Sequence, residues 1–253
     1  MEILNNCREY GSLPFRAIVV HGGPGAPGCC AGICRGLADD FGILEFLQTK
    51  NSIDELLEEL SGVILQYQLN KIILIGHSWG AWLSYIFAAK YPQYVSKLVL
   101  VSCGPFELSY YSQLVEARSV KIMSKEQKED IKAANLYTDD MEYDPDHYCL
   151  LPNIKEDMIA FNEVQFKSLM DEVVSMRASG ELLDFSKEIE CSVVAIHGKN
   201  DPHPWNGVKM PLENRLNEFK MFLIDKCGHD PWKEYYAKDE FFTVLKREIK
   251  STV

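Results

Sequence analysis

The fold is decided by the stretch KIILIGHSWG, residues 71–80. Its first half is apolar without alternation, which is typical of a strand buried on both faces of a parallel sheet. Glycines two residues before and two residues after Ser78 allow a sharp backbone turn, and residues 79–90 continue as an apolar helix. The pattern predicts that Ser78 lies on a strained strand-to-helix turn with its hydroxyl exposed as a nucleophile, rather than in a chance glycine-rich turn.

Apolar runs on either side of this stretch have the same unbroken character. They cover residues 15–20, 42–47, 98–102, 193–196 and 221–224. Helical patterns lie between them, and the clearest extends from Ser52 to Tyr67, where Ser52 and Glu55 form a capping box. This alternation predicts an α/β fold, with a mostly parallel sheet of about six strands flanked by helices.

Residues 104–190 interrupt the alternation of strands and helices. The segment lacks strand-like runs and contains one helical stripe, made by Phe166, Leu169, Met170, Val173 and Val174. Residues 137–152 are rich in acidic side chains, contain two prolines and favour a loop. We therefore predict a core formed by residues 1–103 and 191–253, and a helical cap formed by the insertion 104–190.

The motif HGGPG, residues 21–25, directly follows the strand that ends at Val20. Acyl transfer needs two N–H donors aimed at the oxyanion of a tetrahedral intermediate. We predict that these donors are the backbone N–H groups of Gly23 and of Trp79, the residue after the nucleophile. His21 is expected to brace the loop rather than to transfer protons, and a simple glycine–proline turn is the alternative reading of the motif.

Two further polar residues follow the ends of predicted strands. Asp201 comes after the strand 193–196, and His229 comes after the strand 221–224. The chain order Ser78, Asp201, His229 is the order expected for this type of turn. His229 is predicted to take the proton from Ser78, and Asp201 to fix the tautomer of the imidazole and stabilise its charged form.

Other acids and histidines are weaker candidates for these roles. Three other carboxylates could in principle serve as the acid. Asp225 lies only four residues before His229, which makes it awkward to reach the same ring, and Asp230 is adjacent to His229 and should point away. Asp184 precedes a strand and so lies at the wrong end of the sheet. Among the histidines, we expect structural roles for His77 and His197, a place near the site for His203 and a solvated side chain for His147.

Composition excludes several other classes of protein. The chain has 253 residues, with 26 Lys+Arg and 37 Asp+Glu, so its formal net charge is 26 − 37 = −11. This charge argues against binding to nucleic acid or to an anionic membrane. Residues 1–10 do not form a signal peptide, and no segment is long and apolar enough to cross a membrane, so we expect a cytoplasmic protein.

The eight cysteines are expected to be reduced thiols in that compartment. Cys29, Cys30 and Cys34 form the single cluster in the sequence, without the spaced partners that a metal site needs. We therefore interpret them as packing residues on a helix and expect neither a metal nor a cofactor.

The motifs HGGPG, GHSWG, GKND and CGHDPW together resemble those of the α/β-hydrolase superfamily. The first two are most similar to the proline iminopeptidase branch. The resemblance covers residues 15–103 and 191–250 and implies the same fold and the same roles for Ser78, Asp201 and His229. Sheets of that family begin with two additional edge strands, and the few residues before Phe15 predict that at least one of them is missing or rudimentary.

These motifs predict a serine hydrolase that cleaves a small ester, thioester or amide through an acyl-enzyme. One alternative is an aminopeptidase, since proline iminopeptidases bind the substrate's ammonium group with carboxylates of the cap. The matching stretch places Asn162 at the family's glutamate position and Glu163 one residue later, with Glu172 and Asp157 as other possible acids. A ligand-binding protein with a hydrolase fold is the other alternative. The expected partner is a small-molecule or short-peptide substrate, and the oligomeric state stays open.

Overall fold

A seven-stranded sheet forms the centre of the molecule in a computed structural model that describes residues 6–152 and 157–252. The strands lie in the order β1-β3-β2-β4-β5-β6-β7. Their bounds are β1 Cys7–Tyr10, β2 Phe15–Val20, β3 Gly42–Phe46, β4 Ile72–His77, β5 Val95–Val101, β6 Ser192–Gly198 and β7 Phe219–Ile224. Strands β2 to β7 are parallel, so the carboxyl ends of β2, β4, β6 and β7 meet at one edge. The predicted mostly parallel α/β sheet is confirmed.

The edge strand β1 was not predicted and raises the number of strands from about six to seven. It pairs antiparallel with β3, with Cys7 opposite Phe46 and Tyr10 opposite Ile43. Its sequence, CREY, carries two charges in four residues and is only partly buried, so it lacks the apolar run that identified the other strands. With four residues, β1 is a short form of the edge strands that we expected from the sequence to be missing or rudimentary.

Helices cover both faces of the sheet. The α-helices are α1 Ala31–Leu37, α2 Ile53–Gln66, α3 Trp79–Lys90, α4 Tyr111–Ser119, α5 Lys125–Ala133, α6 Glu163–Ser179, α7 Glu181–Asp184, α8 Asn206–Glu213 and α9 Lys238–Lys250. On β2, Ile18 and Val20 join the core under α2 and α3, whereas Ala17 and Val19 join the core under α1 and α9. Burial on both faces is the reason why the strands read as unbroken apolar runs.

The helices α4 to α7 occupy the insertion between β5 and β6. Residues 137–152 contain no helix, as predicted, and Leu150 forms an isolated bridge with Glu234. On α6, Leu169 and Val173 are buried in the main core. The division into core and cap at residues 104 and 190 stays a prediction. Within the described ranges, no helix has the length and apolar character needed to cross a membrane.

Candidate active site

Ser78 lies on the sharp turn between β4 and α3. Its backbone has φ 53° and ψ −117°, a conformation that non-glycine residues rarely adopt and that stores strain. A Cβ at Gly76 would collide with the carbonyl oxygen of Gly80, and a Cβ at Gly80 would collide with that of Val20. The two glycines are therefore required for the close approach of backbones that raises Ser78 above the end of the strand.

His229 and Asp201 form a hydrogen-bonded pair at the same edge of the sheet. The Nδ1 atom of His229 lies 2.9 Å from Oδ2 of Asp201, whose side chain is fully buried. Burial raises the pKa of Asp201, but the charges of His229 and His197 outweigh it and hold that pKa well below its usual value. Burial likewise lowers the pKa of His229, but Asp201 outweighs it and raises the pKa above its usual value. The carboxylate can thus stabilise an imidazolium.

Ser78 and His229 both line one cavity of about 650 Å³. The hydroxyl of Ser78 makes no hydrogen bond within the described ranges, so the contact between Ser78 and His229 Nε2 is not formed in this structure. Hydrogen bonds between nucleophile and base are often long in substrate-free enzymes and shorten when substrate binds.

Two backbone N–H groups in the wall of this cavity are free to bind an oxyanion. Gly23 has φ 34°, and Trp79 is the first residue of α3, where backbone N–H groups lack partners within the helix. Neither N–H donates a hydrogen bond to any described residue, and both residues line the cavity. The structure thus places both predicted donors in the wall of the cavity that Ser78 lines.

His21 braces the loop that carries Gly23, as expected. Its ring is fully buried, Nδ1 lies 2.9 Å from the carbonyl oxygen of Gly22, and Nε2 accepts a hydrogen bond from the backbone of Gln48. The side chain of Gln48 then donates to the carbonyl of His21 and accepts from the indole of Trp79 at 2.8 Å. Gln48 links the two donor segments, a role that no motif in the sequence indicated.

Two further histidines surround Asp201. The ring of His203 is stacked on that of His229 at 4.4 Å, and its Nδ1 lies 3.0 Å from Oδ1 of Asp201. Burial, together with the charge of His229, lowers the pKa of His203 to about 4, so His203 is neutral at pH 7 and donates from Nδ1. His197 donates from Nε2 to the carbonyl of His203, in agreement with the structural role expected for it. The sequence placed His203 near the site but did not indicate this contact with the acid.

The alternative carboxylates lie elsewhere. Asp225 is three-quarters exposed and pairs with Lys199, and Asp184 pairs with Lys187. Asp230 turns away from the His229 ring and contacts Lys233 and two other histidines. Among the three alternatives, none contacts the imidazole of His229, which leaves Asp201 as its partner.

The expectation that His147 is solvated is wrong. Its side chain is 17% exposed and lies between Asp144 and Asp230, at 2.7 Å and 3.3 Å. Burial lowers the pKa of His147, but these two carboxylates outweigh it and raise the pKa to about 9. His77 contacts the other oxygen of Asp230 and the backbone oxygen of His229, so its expected structural role is to hold the loop of His229.

Helix α6 contributes one of its faces to the cavity. Phe166, Met170, Val174 and Arg177 follow one another at spacings of four, four and three residues and therefore lie on the same side of the helix. Trp82, Tyr111 and Leu114 complete a largely apolar wall. The cavity thus suits a substrate with an apolar body of small-molecule size.

The structure does not bring the predicted ammonium-binding residues to this cavity. Asn162 is the N-cap of α6, where its side chain accepts from the backbone of Gln165, and Glu163 is exposed on the first turn. Glu172 accepts from the backbone of Ile53, and Asp157 pairs with Arg35. None of the four lines the cavity.

Cys29 and Cys30 do not lie on a helix, in contrast to the sequence interpretation. They precede α1, and Cys29 lines the cavity. Their sulfur atoms are 3.8 Å apart, and with His77 they form a group whose ligand atoms lie within 4.8 Å of one another. Asp201, His203 and His229 form a second such group, whose members already bind one another. Either group has donors that a metal ion could use, which the spacing in the sequence did not indicate.

A protein-family model matches residues 40–238, well over half of the chain, and its description is Ndr family. The chain belongs to the Ndr family. A curated relative, epoxide hydrolase 1 of Caenorhabditis elegans, is 32% identical over 93 residues. That match spans 36% of this chain and 23% of the relative, so the chain covers less than a quarter of that protein's length.

Solved structures of several other proteins share the fold of this Ndr-family chain. VinJ superposes with a TM-score of 0.70 at 17% identity, covering 98% of this chain and 95% of VinJ. Proline iminopeptidase of Mycobacterium smegmatis superposes with a TM-score of 0.68 at 16% sequence identity, and the match covers 97% of this chain and 94% of the iminopeptidase. An α/β-hydrolase enzyme from a lagoon-sediment metagenome superposes with a TM-score of 0.64 at 16% sequence identity, and the match covers 97% of this chain and 94% of that enzyme. The predicted resemblance to α/β hydrolases is confirmed at the level of the fold.

Proposed function

We propose that this Ndr-family chain is a serine hydrolase that cleaves small esters, thioesters or amides with Ser78, His229 and Asp201. The hydrogen bond of 2.9 Å between His229 and the buried Asp201 carries the proposal, because it holds the imidazole at the rim of the cavity that Ser78 lines. The strained backbone of Ser78 supports it, since strain of this kind is common at catalytic turns.

The reaction proceeds in two halves. Oγ of Ser78 bonds to the carbonyl carbon while its proton passes to Nε2 of His229, and the N–H groups of Gly23 and Trp79 stabilise the oxyanion. His229 then gives that proton to the leaving group, and an acyl-enzyme remains on Ser78. Water, deprotonated by His229, attacks the ester carbon, and the proton returns to Ser78 as the acid departs. Only water is required as co-reactant.

An aminopeptidase is the second candidate, and the surroundings of Ser78 disfavour it. Among the described residues that line the cavity, Asp230 is the single carboxylate, and it is engaged with Lys233, His77 and His147. A substrate ammonium group would therefore meet cations rather than a free carboxylate. The specificity of the site depends on side chains of the cap.

A paired rate assay tests this assignment. Purified protein is given p-nitrophenyl butanoate and, separately, prolyl- and alanyl-p-nitroanilide, with Ser78→Ala as the background. We expect Ser78-dependent release of p-nitrophenol and little release of p-nitroaniline. Faster cleavage of the anilides would favour the aminopeptidase. The absence of turnover above the uncatalysed rate on every substrate would favour a ligand-binding protein.

On the acid side, kcat/KM should fall with a midpoint above pH 6.5. His229 must be neutral to accept the proton of Ser78, and the charge of Asp201 raises the pKa of His229 above its reference value of about 6.5. Activity is therefore lost as pH falls through this raised pKa. Measurement of kcat/KM on a neutral ester from pH 5 to 9 checks the sign. A limb below pH 6, or a flat profile, contradicts His229 as the base.

A further inference from the structure

Arg177 occupies the last turn of α6 in the wall of the active-site cavity. Its side chain follows Phe166, Met170 and Val174 on the face of the helix that lines this cavity. The residue is only 7% exposed, so its charge is held largely away from bulk water. A buried guanidinium in a wall that is otherwise mostly apolar requires a physical explanation.

The guanidinium has aromatic neighbours but no anionic partner among residues 6–152 and 157–252. Its central carbon lies 5.5 Å from the ring centres of both Trp82 and Tyr111. Its Nε is buried and makes no hydrogen bond. Buried arginines are normally paired with a carboxylate, because an unpaired charge is costly to remove from water. Arg177 therefore has hydrogen-bond donors that the protein itself does not use.

The other cations of the cavity are already neutralised. Arg118 donates to Asp146 from both Nε and Nη2, at 3.2 Å and 3.0 Å. Lys233 lies 3.0 Å from Asp230. Arg177 is thus the lining cation, within the described residues, that lacks a carboxylate partner.

Arg177 is also connected to Ser78 through Trp82. Trp82, which lies beneath its guanidinium, is one helical turn after Ser78 on α3. Ser78, Trp82 and Arg177 all line the same cavity. A group bound to Arg177 can therefore belong to the same small molecule whose carbonyl carbon meets Ser78.

We propose that Arg177 binds a carboxylate of the substrate, so that the enzyme acts on apolar esters, thioesters or amides that carry a free acid group. This inference rests on the proposed hydrolase function for the reaction, but not for the binding. The planar fork of arginine matches the two oxygens of a carboxylate. One guanidinium balances one negative charge, which suits a carboxylate better than a phosphate dianion.

The binding step is tested in the Ser78→Ala background, where the amide is not turned over. Titration calorimetry with 4-phenylbutanoate, its neutral amide 4-phenylbutanamide and 4-phenylbutyl phosphate compares the same apolar body with three head groups. We expect the acid to bind at least about 10-fold more tightly than the amide, because a charge-assisted hydrogen bond contributes about that factor or more. Arg177→Met should remove this preference, whereas Arg118→Met, which deletes a paired cation of the same cavity, should retain it. Tighter binding of the phosphate than of the acid would overturn the choice of carboxylate.

The kinetic step uses matched esters. The mono-p-nitrophenyl ester of octanedioic acid carries a free carboxylate, and p-nitrophenyl octanoate is its neutral counterpart. Arg177→Met should lower kcat/KM for the acid ester about 10- to 100-fold, mainly through KM, and change the neutral ester by less than about threefold. Arg177→Lys, which keeps the charge without the fork, should lie between wild type and Arg177→Met.

The outcomes separate this inference from the hydrolase proposal. Ser78-dependent cleavage with equal rates on both esters, and equal binding of acid and amide, would leave the hydrolase intact and overturn the role of Arg177. Carboxylate binding that depends on Arg177 without any hydrolysis would do the reverse. Thermal melting adds a readout that distinguishes binding from packing: removal of an unpaired buried charge should leave Tm unchanged or higher. A clear fall in Tm without loss of carboxylate preference would make Arg177 a packing residue.

Discussion

We expect Ser78→Ala to lower kcat on p-nitrophenyl butanoate by roughly 10³- to 10⁶-fold, because the variant has no atom that can form the acyl-enzyme. The N–H groups of Gly23 and Trp79 stay in place and account for a small residual rate. Alanine keeps the Cβ of serine and is smaller than serine, so the turn between β4 and α3 should keep its shape. Initial rates with purified wild type and variant, at equal concentration of folded protein, measure the effect.

Ser102→Ala is a matched control for this variant. Ser102 directly follows the neighbouring strand β5 and has a similar φ of 47°, but it is fully buried and does not line the cavity. We expect its replacement to change kcat by less than about threefold. Near-normal activity of Ser78→Ala would show that another nucleophile acts, and Cys29 in the same cavity wall would then be the first candidate.

The place of Ser78, Asp201 and His229 at one edge of the sheet could be predicted because each residue belongs to a local pattern. Ser78, Asp201 and His229 follow apolar runs, and the carboxyl ends of parallel strands meet at one edge of the sheet. The edge strand β1 could not be predicted in this way, since CREY is short, charged and half exposed. Its place is determined by pairing with β3 rather than by its own composition.

The missed residues of the site depend on contacts between distant segments. Gln48 is 27 residues from His21 and 31 from Trp79, and it connects them through three hydrogen bonds. In the sequence, Arg177 is one of several charged residues on its helix, and only the fold shows that it is buried against Trp82. His147 appeared solvated because its partner Asp230 lies 83 residues away. Such pairings follow from tertiary packing and leave no periodic signal in the sequence.

Asp201→Asn should lower kcat by about 10³- to 10⁴-fold on the same ester while the protein remains folded. An amide at this position presents an N–H where the carboxylate accepts, so it favours the tautomer of His229 that has its proton on Nε2. That tautomer cannot accept the proton of Ser78. Loss of the negative charge also withdraws the interaction that raises the pKa of His229, so the acid limb of the residual activity should move to lower pH.

Asp225→Asn is the control, because Asp225 is exposed, pairs with Lys199 and lies four residues before His229. We expect it to change kcat by less than about twofold and to leave the acid limb in place. A loss of this size in Asp225→Asn alone would assign the acid to Asp225. A loss in Asp201→Asn without movement of the acid limb would indicate that Asp201 acts mainly by holding the loop of His203, whose backbone N–H and Nδ1 both contact Oδ1 of Asp201. The pH profile therefore separates electrostatic support of His229 from structural support of its surroundings.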